Sequence, residues 1–473
     1  MSPLSFCLCP TVSRYYRAWL SAIALLSVTH LASAQVLAPS LPRLTQDQPA
    51  PTRSDFQIPQ TFFGDWGGLR TWLDHYGVSF TLNQTSDYMG NTQGGFRQGF
   101  VYDGLLDLEV DIDLNKSIGW QGGKIHFSGY GIQGQDLSAQ YVGNLMTASN
   151  IEATPSVAKI GEAWLGQKLW ADRVQLRAGL LEADRYYMLS PSANVFVNST
   201  FGFPDSWEAN MPNGGPAYPN ASPGAMASVA FTNEWQLTTS IMNGSPIGST
   251  AQRTSYGIGF PIGNGLLSWI ETAYTPKLTF GEKTLPGNFK LGGWYNSQTV
   301  NNVTLANTNY AFSNPVNTTY HGQYAVYGLV DQAIWREGNS DAQGLNLFAR
   351  IALDPQQQRN LVTAYFDTGA AYIGLFDNRP NDILGLGFAW AKFTPYLNGQ
   401  ITAQNMSAGT QTPIPKPESL IEVTYQAPLS PWLTVQPFFQ YAINPGGKAP
   451  MPKNPNVAIP NAIIVGLRAN VAF

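Results

Sequence analysis

From Val78 to Phe473 the chain alternates apolar and polar positions with a period of two, segment after segment. The clearest stretch runs from Tyr102 to Asn115. There Tyr102, Gly104, Leu106, Leu108, Val110, Ile112 and Leu114 share one face, while Asp103, Leu105, Asp107, Glu109, Asp111, Asp113 and Asn115 share the other. In a strand these two sets lie on opposite sides of a sheet. The final stretch repeats the pattern: Ile463, Val465, Leu467, Ala469, Val471 and Phe473 form one apolar face, opposite Gly466, Arg468 and Asn470. Comparable segments run near 78–89, 121–132, 158–170, 173–182, 224–232, 234–243, 254–261, 267–275, 288–298, 321–335, 343–353, 361–373, 382–393, 418–427 and 431–444, seventeen in all. No later run reaches the roughly 18 apolar residues of a spanning helix, whereas half-apolar strands span a membrane when they close into a barrel. The pattern predicts an all-β, closed antiparallel transmembrane barrel. Bacterial barrels use an even strand count, so sixteen strands are expected and eighteen are the alternative.

Ahead of the barrel the period is helical. Trp66, Leu69, Trp72, Leu73 and Tyr76 fall on one face, Asp65 is placed to cap and Gly77 to terminate, which predicts a short periplasmic helix within residues 62–77. Residues 35–61 are Pro-, Gln-, Ser- and Thr-rich without apolar period and read as a flexible leader. Residues 1–34 carry Arg14 and Arg17, an apolar run to Leu31 and Ala32-Ser33-Ala34, the form of a cleaved secretory signal. Residues 78–473 are left for the barrel. Both cysteines, Cys7 and Cys9, lie in the signal, so no thiol or disulfide chemistry is expected beyond it.

Composition narrows the function. The formal net charge of −4 argues against a nucleic-acid partner, and charged residues make up only 12% of the chain against about 25% in soluble domains. After the signal only His75, His126 and His321 remain, without zinc spacing or a nucleophile motif, so neither a metal, another cofactor nor an enzyme is expected. Connections alternate between short turns and long polar stretches. The longest, about 183–223, is rich in proline and aromatics and reads as a packed loop over the pore mouth or folded into it.

Gly64-Asp65-Trp66-Gly67-Gly68-Leu69-Arg70 resembles the opening of the carbohydrate-selective porins, the OprB family. Further landmarks of that family recur in order: Gly161-Glu162-Ala163-Trp164, Arg177-Ala178-Gly179, Phe348-Ala349-Arg350, Asp367-Thr368-Gly369, Arg379 with Asp382, Glu418 with Glu422, and Asn444-Pro445-Gly446-Gly447. The resemblance covers nearly everything after residue 60. It implies a 16-stranded channel of the bacterial outer membrane that admits small neutral sugars, embedded in outer-membrane lipid, with a homo-oligomer left open.

A sugar presents hydroxyls and apolar ring faces, so selection needs charged or amide groups and aromatic faces. Alternation turns Glu162, Trp164, Arg177, Arg350, Glu422 and Arg468 inward as candidates for a constriction, and Asp107, Glu109 and Asp111 form an acidic lumen face. Each alone is more simply read as wetting a water-filled wall or pairing with an opposite charge. Loop residues Asp184, Arg185, Tyr186 and Trp207 are weaker candidates. Two rival readings stand beside a neutral-sugar channel: a channel for anionic solutes such as sugar acids, drawn by Arg177, Arg350 and Arg468, and a largely plugged structural barrel.

Overall fold

The computed structural model describes residues 60–473 apart from 154–155, 247–259, 261–262, 282, 304–317 and 339. Sixteen strands follow one another in antiparallel order: β1 (Val78–Gln93), β2 (Gly99–Asp113), β3 (Gly123–Gly134), β4 (Val157–Leu169), β5 (Val174–Leu181), β6 (Ser222–Ala230), β7 (Trp235–Asn243), β8 (Leu266–Tyr274), β9 (Lys283–Asn301), β10 (Thr319–Arg336), β11 (Gly344–Leu353), β12 (Val362–Ile373), β13 (Ile383–Phe393), β14 (Glu418–Ser430), β15 (Leu433–Ile443) and β16 (Ala462–Ala472). β1 pairs with both β2 and β16, so the sheet closes on itself and leaves no free edge. A four-residue strand, Lys277–Phe280, only extends the pairing at the start of β9. Sixteen, the expected count, is the count observed. The surplus segment at 254–261 lies, except for Phe260, outside the described residues, and the ring closes without it.

Facing follows the alternation. Leu165, Leu176, Ile270, Leu347, Ile351 and Leu467 are exposed outward, while their neighbours Trp164, Trp269, Phe348, Arg350 and Arg468 are buried inside. One boundary differs from expectation: β2 stops at Asp113 and does not run to Asn115. The Asp113 carboxylate accepts from the backbone N–H groups of Asn115 (2.9 Å) and Lys116 (3.3 Å), capping a short helix at Leu114–Ile118. A local side-chain cap has displaced the last ladder positions.

The barrel has two unlike ends. Turns at 170–173, 231–234 and 431–432 share one end with Phe473, while the longer connections 135–156, 182–221, 394–417 and 444–461 share the other. At the short-turn end the helix Leu69–His75 is tied to the end of β16. Phe62 N–H donates to the Ala472 carbonyl at 2.7 Å, and the Arg70 guanidinium donates to the carbonyls of Phe80 (2.7 Å) and Phe473. Asp65 serves the helix from outside its cap position: its carboxylate accepts from Thr71 N–H and Oγ1, both at 2.9 Å.

Two long connections turn into the lumen. Residues 182–221 lay Tyr187, Phe196, Phe201 and Trp207 against inward-facing Trp269, Tyr327, Phe348 and Tyr365, forming a hydrophobic core between loop and wall. The wall makes room with glycine. A Cβ at Gly387 would meet Phe201 at 2.7 Å and Phe196 at 2.8 Å. Residues 135–153 pack beside it, against β15, β16 and β1.

Candidate solute-binding site

Register sets up the site. On adjoining strands Asp111 lies opposite His126, and His126 opposite Trp164, so a carboxylate, an imidazole and an indole form one rank along the inner wall. Arg177 lies opposite Gly166 on the next strand, where the missing side chain leaves space for the indole. These residues line a cavity of about 340 Å³ in the short-turn half of the lumen, together with Glu109, Lys124 and the loop residues Arg185 and Tyr186.

Charges in the cavity are mostly matched. Asp111 accepts from Lys124 at 2.8 Å and lies 2.7 Å from His126 Nδ1, and Arg185 donates to Glu109 at 2.6 Å and to Glu182 at 2.9 Å. Glu162, buried, accepts from Trp164 Nε1 (3.1 Å), the Tyr186 hydroxyl (2.7 Å) and the Glu182 backbone N–H (2.9 Å). Burial, then the adjacent Glu162 carboxylate, pushes the Tyr186 phenol up, which keeps it a donor. Glu162 therefore fixes two aromatic rings, and Arg177 lies between them, 4.9 Å from the Trp164 ring and 5.0 Å from that of Tyr186. Among the described residues the Arg177 side chain makes no hydrogen bond or ion pair, so its fork of N–H donors faces the cavity unspent. The indole itself is 8% exposed, stacked on His126 at 4.9 Å and approached by Arg177, which leaves it little face for a sugar ring.

The candidates from sequence thus separate into two groups. Glu162, Trp164 and Arg177 come together with Glu109 and Asp111 of the acidic face, while Asp107, partly buried, leaves its Oδ1 unpartnered higher on the same strand. Arg350, Glu422 and Arg468, at 1%, 0% and 6% exposure, hold the infolded loops. Glu422 accepts from the N–H groups of Val197 (2.7 Å) and Asn198 (2.9 Å), and Arg468 bonds Asp87, Ser149 and Asn150. Lys124 and His126 were not singled out, although the inward register of 121–132 marks both. Arg185 and Tyr186 enter the site only because their loop folds inward, and Trp207 packs in that loop's core.

The loops also carry a pH-sensitive contact. Asp205 accepts from Thr147 N–H (2.5 Å) and Ser199 Oγ (2.7 Å), joining the two inner loops, and burial pushes its carboxyl from 3.8 up to about 8. A raised folded-state value means that the folded protein holds this proton more tightly than the unfolded chain. The stabilisation is complete below 3.8 and is lost as pH rises through about 8. Asp205→Asn should flatten the fall of melting temperature with pH across that window; an unchanged slope would exclude Asp205 as its source.

Comparison with known proteins decides the family. Residues 97–473 match the model of the carbohydrate-selective porin, OprB family. The chain belongs to that family. Porin B of Pseudomonas aeruginosa is 24% identical over 439 residues, covering 87% of this chain and 90% of that protein. A putative porin, QuiX, of Acinetobacter baylyi is 24% identical over 409 residues, covering 82% and 89%. The high-pH structure of Pseudomonas putida OprB superposes with a TM-score of 0.75 at 22% identity, covering 89% of this chain and all of that one. Its low-pH structure gives a TM-score of 0.54 at 17% identity. The protein is therefore an outer-membrane β-barrel porin of the OprB family.

Proposed function

We propose that this porin passes small neutral carbohydrates into the periplasm by passive diffusion, with Arg177 as the group that exchanges hydrogen bonds with passing hydroxyls. The carrying observation is the contrast inside one cavity: Lys124, His126 and Arg185 are engaged by Asp111 and Glu109, whereas Arg177 is oriented by two rings and left without an acceptor. A neutral hydroxyl can accept from that fork. An anion gains less than the arginine alone would offer, because Glu109, Asp111 and Glu162 lie in the same lining. Family membership supports both the solute class and passive movement, since a porin of this kind needs no energy source.

Liposome swelling with glucose and gluconate tests the reading. Wild-type vesicles should swell with glucose at a rate that vanishes with the gradient; accumulation against a gradient would sink passive diffusion. Arg177→Ala should weaken glucose block of single-channel current by about 1 to 3 kcal/mol, the scale of a hydrogen bond to a charged group. If that variant keeps glucose block but loses gluconate permeation, the free guanidinium serves anionic solutes instead. Absence of planar-bilayer conductance would favour a plugged barrel.

A further inference from the structure

A second cavity, of about 440 Å³, lies at the long-loop end between the helix Asp205–Asn210 of the infolded loop, the adjoining ends of β9 and β10, and the connection after β11. Its volume falls in the range of about 300 to 1,000 Å³ usual for small-molecule sites. Its chemistry differs from that of the lower cavity. Among the described residues no carboxylate lines it; carboxamides of Asn210, Gln298, Asn301 and Gln323 do, and Arg359 is its single charged residue.

Among the described residues, three polar atoms of this lining have no partner: Gln298 Oε1, Gln323 Oε1 and Arg359 Nε. Gln323 is 1% exposed, and its amide nitrogen, with two N–H groups, is surrounded by three acceptors, the carbonyls of Asn210 (2.8 Å) and Arg359 (3.1 Å) and Asn360 Oδ1 (2.9 Å). All three are acceptors, so flipping the amide would set oxygen against oxygen. The Gln323 oxygen is therefore held in place as an unspent acceptor, and a buried acceptor without a partner carries a desolvation cost that a ligand donor would relieve.

We propose that this cavity is a capture subsite at the outer mouth for a neutral mono- or disaccharide. The inference rests on the carbohydrate-channel reading and adds where the solute first binds and why it is neutral. Hydroxyls both donate and accept, which suits two carboxamide oxygens beside one guanidinium N–H. A carboxylate brings acceptors only and would face the two oxygens unfavourably, which favours sugars over sugar acids at this point.

Single-channel recording with glucose or gluconate added at the long-loop side is the test. Gln298→Ala and the near-isosteric Gln323→Met should each raise the half-blocking glucose concentration by about three- to tenfold. Glucose added at the short-turn side should block as in wild type, and block by gluconate should not weaken in the variants. Should the buried Gln323→Met fail to fold, Gln298→Ala decides alone. If wild-type vesicles swell with glucose but Gln298→Ala leaves block from the long-loop side unchanged, the cavity holds water only and the subsite is overturned, while the channel reading stands. If wild-type vesicles do not swell with glucose, both fall.

Discussion

Replacing Arg350 by Met should release the inner loop from the barrel wall, lowering stability by roughly 3 to 5 kcal/mol and raising single-channel conductance. Arg350 faces Asp367 directly across β11 and β12, and its Nε lies 2.9 Å from Asp367 Oδ1. Its remaining donors reach four loop carbonyls: Met188 (3.2 Å), Thr200 (3.0 Å), Phe201 (2.7 Å) and Gly202 (2.9 Å). The planar guanidinium fork is what spans a carboxylate and a loop at once, and a lysine point charge should restore only part of the loss. Single replacement leaves the fully buried Asp367 with only the Tyr365 hydroxyl, at 2.6 Å. Arg350→Met combined with Asp367→Leu should therefore lose less than Arg350→Met alone. Urea unfolding gives the stability and bilayer recording the conductance. A folded Arg350→Met channel with wild-type conductance but weakened glucose block would return Arg350 to the solute path expected from sequence.

The barrel was legible because its signal is local and repeated. A strand with one face in lipid and one in water must alternate, and a single segment such as Tyr102–Asp113 displays the rule without reference to any other part of the chain. The error in strand bounds fell where another local effect competed, when the Asp113 cap ended β2. The site was only half legible. Inward facing follows from alternation, but burial does not. Glu422 and Val197 are 225 positions apart and meet only because residues 182–221 fold into the lumen. Nothing in the spacing of Arg350, Glu422 or Arg468 distinguishes a donor that meets solute from one spent on a loop carbonyl. Aromatic residues in the long connection suggested packing, and the glycines at 385 and 387 that receive Val195, Phe196 and Phe201 were the unread counterpart on the wall.

On the closing strand, Leu467→Lys should impair membrane insertion by about 2 to 4 kcal/mol, whereas Val471→Lys, near the strand end, should cost about 0 to 1. Leu467 is exposed at the middle of β16, where a charge meets hydrocarbon, and Val471 lies close to the turn at 431–432, within reach of the interface. Arg468, one position on, points the other way. Alternation alone makes it a lumen residue that tolerates Arg468→Gln, but it donates to Asp87 at 2.8 Å through both Nε and Nη2, and further to Ser149 (3.0 Å) and Asn150 (2.8 Å). Asp87 is fully buried, and without the arginine only the Ser149 hydroxyl, at 2.6 Å, remains to it. Arg468→Gln should thus destabilise the folded barrel by roughly 3 kcal/mol or more while leaving insertion intact, and Asp87→Asn added to it should recover part of the loss. Heat-modifiable gel migration after reconstitution measures insertion, and urea unfolding of the inserted fraction measures stability. Equal insertion defects for Leu467→Lys and Val471→Lys would contradict the depth assignment, and a silent Arg468→Gln would mean that the 135–156 loop is held in the lumen without this ion pair.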